Sequence, residues 1–378
     1  MTIHACRICG NSFFEGSLLS YRNMPQAAQF LPDAASLSDD SGIDLDIRQC
    51  SGCGLVQLSG DPVSYYRDVI RAAAFSDEMR SFRIDQFFGF AGKYGLGGKK
   101  VIEIGCGKGE YLALMNQSGA EAYGVEHLPE SVDYCLRAGF RVSQGFVEDE
   151  RYMIDGGPFD AFYILNFLEH LPDPNSLLRG VRCNLSDGGI GLVEVPNFDM
   201  IVRNKLFSEF TSDHLFYFTK DTLAIVLRLN GFEILECTEI WYDYILSVIV
   251  RKTERMDLAS FAGYQERITT EIHSFIDQFE NGRTAIWGAG HQALAIVSLA
   301  QLGNRIRYII DSAPFKQGRF SPATHVPIVS PDSLDTDPVD AIIVMAASYS
   351  DEVARIIRSR YDKKLSVSIL RDDGLETV

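Results

Sequence analysis

Residues 103–110, Glu-Ile-Gly-Cys-Gly-Lys-Gly-Glu, place Gly105, Gly107 and Gly109 at alternate positions between a strand-like stretch and a helix-like one. Glycine lets the backbone pass close to a ligand with torsions that a side chain forbids. Glu126, ending the next strand-like stretch at 122–125, offers a carboxylate able to hold two ribose hydroxyls. The G-x-G-x-G spacing is tighter than the G-x-G-x-x-G that lines a pyrophosphate against a helix N-terminus. An adenosine joined to methionine has no pyrophosphate, and Glu103 would repel phosphate but could bind an ammonium group. The expected ligand is S-adenosylmethionine, with Glu103, Gly105, Gly107, Gly109, Glu126, His127, Phe146 and Asn166 as candidate contacts. The competing reading is a Gly-rich turn that serves only close packing.

Two histidines stand near this loop in the order of elements. His170, in Asn-Phe-Leu-Glu-His-Leu-Pro-Asp at 166–173, follows a strand-like run at 159–164, at the edge where an open α/β sheet opens its ligand crevice. It could face cofactor or substrate, or only shape the pocket. Asp213 and His214 sit among aromatics at 210–219, and an acid beside a histidine can set an imidazole to take a proton near working pH. The plainer alternative has Asp213 capping a turn and His214 packing among Phe216 and Phe218.

Cys6-x-x-Cys9 and Cys50-x-x-Cys53 are each followed by a glycine, Gly10 and Gly54, which permits backbone N–H groups to point at the sulfurs. Four thiolates so arranged can close a tetrahedral shell around zinc, and a segment poor in apolar periodicity gains folding energy from the metal. Redox dithiols are the alternative. Cys106, Cys135, Cys183 and Cys237 fall on or beside expected core elements and read as small buried residues.

The elements that must hold these residues alternate along the chain. Residues 1–70 carry little regular periodicity around a polar insert at 33–46. A helical pattern from Phe75 to Phe90 leads into strands at 99–104, 122–125, 159–164 and 191–195, with helices at 110–118, 130–138 and 176–185 between them, which makes a parallel α/β sheet. A helix at 220–229 precedes strand-like runs at 232–237 and 244–250, read as an antiparallel hairpin added at the sheet edge. An amphipathic stretch at 256–280 leads to a second α/β unit with strands at 284–287, 305–310 and 341–344 and helices at 293–302 and 351–361. The fold class is thus α/β, with a small zinc-binding module at 1–72, a cofactor-binding core at 73–253 and a Rossmann-like unit at 254–378. At 378 residues the chain is too long for one ordinary core.

A formal charge of −16 argues against a nucleic-acid polymer as partner, because the summed field repels phosphates on approach. The start of the chain lacks a basic, apolar leader, and no apolar run approaches the roughly 18 residues needed to span a bilayer, so a cytoplasmic protein without membrane contact is expected.

Taken together, these motifs resemble the class I S-adenosylmethionine-dependent methyltransferases that act on carbon of nucleotide-linked keto-deoxysugars. The resemblance covers nearly the whole chain: a four-cysteine zinc module, a methyltransferase core, and a C-terminal Rossmann-like unit with Trp287-Gly288-Ala289-Gly290. It implies His214 as base assisted by Asp213, His170 at the substrate site, and a nucleotide-sugar substrate met by Tyr66, Asn197, Arg203, Tyr217, Lys316 and Arg319. Tyr65 is the other candidate for the tyrosine entering the core. In the implied reaction a base removes the proton beside a ketone and the enolate takes the methyl group. Two rivals stay open: methyl transfer to nitrogen or oxygen of a sugar, and a nicotinamide-dependent oxidation at 288–293 with Asp311 as the ribose acid.

Overall fold

The first regular elements are three antiparallel strands, β1 (Leu19–Met24), β2 (Ile43–Gln49) and β3 (Val56–Leu58). The computed structural model describes residues 3–27, 31–68, 76–361 and 364–378, so the expected helix start at Phe75 and the boundary at 72/73 lie outside the described residues. Two units emerge, Met1–Arg255 and Met256–Val378. The polar insert ends in β2, where Leu45 and Ile47 point inward at alternate positions, the period of a half-buried strand.

The helix α1 (Asp77–Tyr94) starts where the Ser76 hydroxyl accepts the Met79 N–H at 3.2 Å and stops at Gly95, in the left-handed conformation at φ 64°. Beyond it strands and helices alternate: β4 (Lys100–Ile104), α2 (Glu110–Gln117), β5 (Glu121–Glu126), α3 (Pro129–Arg137), β6 (Arg141–Gln144), β7 (Phe159–Leu165), α4 (Pro174–Cys183) and β8 (Leu185–Pro196). After them come α5 (Phe198–Asn204), β9 (Phe216–Tyr217), α6 (Lys220–Leu229), β10 (Phe232–Ile240) and β11 (Ile245–Lys252).

Among the described residues the central sheet runs in the order β10-β11-β8-β7-β4-β5-β6. The inner strands pair in parallel, and their near-continuous burial matches a sheet covered on both faces. The hairpin forms as expected but with a twist in order: β11 wedges antiparallel between β8 and β10, so the later strand is the inner one. This is the parallel α/β arrangement expected from the sequence, with an antiparallel hairpin at one edge. The short strand β9 leaves this sheet and pairs with β3, so the cysteine segment and the core share one body of buried side chains.

A buried ion pair ties α1 to the sheet. Arg83 lies 2.5 Å from Glu194 on β8, both side chains essentially without solvent exposure, and Gln86 bridges them by accepting from Arg83 and donating to Glu194.

The second unit begins with α7 (Ala259–Ile276) and continues through β12 (Thr284–Trp287), α8 (His291–Leu299), β13 (Ile309–Ile310), β14 (Arg319–Phe320), β15 (Pro327–Val329), α9 (Ser333–Thr336), β16 (Ala341–Val344), α10 (Ser350–Arg360), β17 (Ser366–Arg371) and β18 (Gly374–Thr377). Its sheet, β14-β15-β13-β12-β16-β17-β18, is parallel except at its two edge strands. Of the strand expected at 305–310 the regular part is 309–310, preceded by backbone bonds from the Arg307 N–H to the Thr284 carbonyl and from the Ile286 N–H to the Tyr308 carbonyl, while the Arg305 and Arg307 side chains turn outward to Asp277 and Asp337. Among the described residues no helix is long and apolar enough to cross a membrane.

Removing one partner of a buried ion pair leaves the other charge without compensation. Glu194→Ala should therefore lower the urea-unfolding free energy by about 3–5 kcal/mol, and the paired change Arg83→Met with Glu194→Leu should recover most of the loss.

Candidate functional site

The turn after β4 carries Gly105, Gly107 and Gly109 at φ 72°, 55° and 81°, torsions that favour glycine. Space enforces the choice at Gly109: a Cβ there would come within 2.9 Å of the Phe140 ring and 3.2 Å of Cys135 Sγ. The Glu126 carboxylate, at the end of β5, accepts the Gly107 N–H at 2.8 Å and the Leu128 N–H at 2.9 Å, which stitches the two loops together.

Around this stitch lies a cavity of about 250 Å³ whose walls include Gly105, Gly107, Glu126, His127, Phe146 and Asn166. Asn166 itself has a left-handed backbone at φ 48°, and its Oδ1 is buried with no hydrogen-bond partner. An orphaned acceptor, a carboxylate at the strand end and the rings of Phe146 and Phe167 fit a ligand that joins an aromatic base to polar groups, as adenosine does. Arg67 also borders the cavity, 4.8 Å above the Phe146 ring and 2.9 Å from Glu148, a neighbour that no motif in the sequence announces. Glu103 does not line the cavity. It is fully buried beneath the loop and accepts from the Tyr163 hydroxyl at 3.0 Å.

The residues after Asn166 and Phe167 turn at once into a short 3-10 helix, Leu168–His170, which brings His170 beside His214 with ring centroids 4.7 Å apart, edge to face. His170 Nδ1 lies 2.9 Å from the Asp213 carbonyl oxygen. A carbonyl only accepts, so Nδ1 carries the proton and Nε2 keeps the lone pair. Burial lowers the pKa of His170, against the opposing pull of the Asp213 carbonyl, and burial together with the His170 charge lowers that of His214 to about 3. Both rings are neutral near pH 7, and contrary to the expectation from the sequence the Asp213 carboxylate, engaged by Tyr65, does not hold His214 near working pH. Glu169 is buried completely and burial raises its pKa to about 8.

The link between Asp213 and a histidine thus runs through its backbone to His170. Its carboxylate accepts from the Tyr65 hydroxyl at 2.8 Å and from Ser212 Oγ at 3.3 Å. Tyr65, and not Tyr66, is the tyrosine that reaches the acid. Tyr66 packs edge-on to Phe146 at 6.3 Å, on the cofactor side.

Other expected contacts lie elsewhere. Asn197 is buried as the N-cap of α5, accepting the Met200 N–H at 3.3 Å and donating to the Asp243 carbonyl at 2.8 Å. Tyr217 is buried in an aromatic cluster with Phe198 and Phe210, and its hydroxyl accepts the Thr211 N–H. Arg203 pairs on the surface with Glu239 and Asp243. In the second unit Lys316 donates to Asp311 at 2.8 Å, and Arg319 sits exposed on β14.

Cys6, Cys9, Cys50 and Cys53 converge with all four sulfurs within 4.8 Å of one another. The two turns are built alike: Gly10 N–H donates to the Cys6 carbonyl at 3.0 Å and Gly54 N–H to that of Cys50 at 3.1 Å. Backbone N–H groups of Ile8, Gly52 and Cys53 point at the sulfurs, and the buried Gln57 donates to Cys6 Sγ at 3.1 Å. An all-thiol tetrad with donors aimed at its sulfurs fits a thiophilic ion such as zinc. Of the other cysteines, Cys106 and Cys135 are buried, Cys237 is half-buried and Cys183 is exposed at the end of α4, contrary to its expected burial.

Comparison with known proteins gives two matched families: residues 77–237 match a methyltransferase domain and residues 250–365 a C-methyltransferase C-terminal domain. The C-methyltransferase NovU of Streptomyces niveus is 24% identical over 388 residues, covering 93% of this chain and 91% of that protein. A ubiquinone biosynthesis O-methyltransferase of Pseudomonas aeruginosa is 36% identical over 100 residues, 25% of this chain and 43% of the relative, a likeness confined to part of the chain. Among solved structures, an S-adenosylmethionine-dependent methyltransferase from Clostridium acetobutylicum aligns with a TM-score of 0.38 at 12% identity, covering 50% of this chain and 96% of that one, a likeness too loose to bear on function.

The Gly107 and Leu128 amides hold Glu126 in place before any ligand arrives. Glu126→Ala should weaken S-adenosylmethionine binding by about 10- to 100-fold in calorimetry, the scale of one hydrogen bond to a charged group.

Proposed function

We propose that this S-adenosylmethionine-dependent methyltransferase places its methyl group on carbon, next to the ketone of a nucleotide-linked keto-deoxysugar. The observation that carries the reading is the pair of neutral imidazoles, His170 and His214, directly beyond the cavity-lining Asn166 and Phe167. Carbon acids need a base, whereas a neutral amine is already nucleophilic and needs only positioning. When bound, S-adenosylmethionine supplies an electrophilic methyl group on sulfur.

His214 acts as the base that takes the proton from the carbon beside the ketone. His170, its tautomer set by the Asp213 carbonyl, packs edge to face against His214 and holds that ring in place. Tyr65 anchors Asp213 and so fixes the backbone that carries both contacts. The likeness to a C-methyltransferase over most of the chain supports carbon as acceptor. The second unit, matched by the C-methyltransferase C-terminal domain, is assigned the nucleotide end of the substrate, with Arg319 and Lys316 near Asp311 as its basic groups.

We assign zinc to the four cysteines as a structural ion. Its place in the function is indirect: β3 follows Cys53 closely and pairs with β9, the strand that comes directly after Asp213 and His214. The Leu58 N–H also donates to the Leu215 carbonyl at 3.0 Å.

Solvent deuterium should enter the carbon beside the ketone when enzyme and keto sugar nucleotide are mixed, and His214→Ala should slow that exchange by about 10²- to 10⁴-fold, read by NMR. Methyl transfer without exchange in the unaltered protein would move the acceptor to nitrogen or oxygen. Stripping the metal with a chelator should abolish exchange before it weakens S-adenosylmethionine binding, because the cysteine segment borders Asp213 and His214 through β9 while the cavity rests on β4, β5 and β7.

A further inference from the structure

Glu169 has no part in the chemistry above, yet it is 1% exposed and its Oε2 meets no hydrogen-bond partner. A buried carboxyl oxygen without a hydrogen-bond partner is costly unless something compensates it. Its Oε1 lies 3.8 Å from His170 Nε2. That is too long for a hydrogen bond but close to the separation of two donors on one ion, roughly 3.4 Å across a tetrahedron with bonds of about 2.1 Å. A ring nitrogen of His214 completes a triplet whose donor atoms all lie within 4.8 Å of one another.

The tautomer of His170 suits the same purpose. A metal-bound imidazole usually donates its other N–H to a carbonyl or carboxylate, and His170 Nδ1–H already donates to the Asp213 carbonyl, leaving Nε2 free to face Glu169. The geometry points to a second transition-metal site, made by Glu169, His170 and His214 and separate from the four cysteines. Two imidazoles and one carboxylate suit a borderline divalent ion such as zinc or cobalt and leave coordination positions open.

An ion held here takes the nitrogen lone pair of His214 and therefore arrests proton removal. That consequence rests on the proposed methyl transfer to carbon, whereas the site itself rests on the three side chains alone. It makes the enzyme sensitive to free transition metal even though its cysteine centre is filled.

Full-length protein carrying zinc at its cysteines is dialysed against cobalt(II) chloride. The expected result is one further equivalent of cobalt, with the weak visible bands of a nitrogen and oxygen site, without thiolate charge-transfer bands, and with deuterium exchange lost. His214→Ala and, separately, Glu169→Gln should each abolish that uptake while zinc content is unchanged. Circular dichroism checks that each variant is folded, and either one alone suffices for the comparison. No further cobalt, or equal uptake in both folded variants, overturns the site. Cobalt uptake with undiminished exchange keeps the metal site and removes His214 from the role of base.

Discussion

Parallel pairing of β5, β4, β7 and β8 is the constraint on which the chemistry of the first unit depends. Ile104 pairs with Val125 and Glu103 with Tyr163, so the residues that leave β4, β5 and β7 arrive at one edge at one height. Leu165 pairs with Glu194 in the same way. Each strand contributes one loop there: Gly105 to Gly109, Glu126 to Leu128, and Asn166 to His170. A slip of one residue in any of these registers would turn the strand's side chains to the opposite face, exposing the core and dispersing the cradle. The buried Arg83–Glu194 pair guards the same edge, because Glu194 lies two residues before the end of β8.

The cysteine segment extends this constraint to residues that no parallel strand can hold. Asp213 and His214 lie in an irregular stretch, which by itself would leave their torsions free. Beyond His214 it is held twice, by the Leu215 N–H that donates to the Glu169 carbonyl and by Phe216 and Tyr217, which form the outer strand of the β1–β3 sheet, and before Asp213 the Thr211 N–H donates to the Tyr217 hydroxyl. Tyr65, on the chain leaving that sheet, closes the loop by donating to Asp213. A four-thiol cluster far from the cavity in sequence therefore contributes to the precision of an imidazole beside it, a form of preorganisation.

What the sequence discloses about this arrangement follows the range of the interaction. The cradle is legible because its glycines and its acid each carry a local requirement, a positive φ or a strand-end carboxylate. The strands β12 and β16 are legible as apolar runs and appear at the expected residues, whereas β17, whose Val367 and Ile369 alternate with serines, and the short β18, which pairs with it at the sheet edge, escape notice. Asn197 and Tyr217 are buried and have partners within the fold, which the sequence does not reveal. Asparagine caps helices with the same side chain that binds sugars, and a buried tyrosine needs a partner for its hydroxyl whether or not a ligand is near. The bond from Tyr65 to Asp213 spans 148 residues, and nothing local to either residue announces it.

The two Rossmann-like units repeat one device with different electrostatics. Asp311 accepts the Ala289 N–H at 2.8 Å, as Glu126 accepts that of Gly107, so each acid ties the loop after the first strand to the end of the second. Gly288 is demanded by a close approach, since a Cβ there would meet the Met345 carbonyl oxygen at 2.5 Å. The difference is Lys316, whose ammonium sits against Asp311 and lowers its pKa despite burial, which works the other way. A ribose hydroxyl arriving at Asp311 would have to compete with that cation. The same fold element thus presents a carboxylate tied to backbone amides in the first unit and one tied to an ammonium as well in the second.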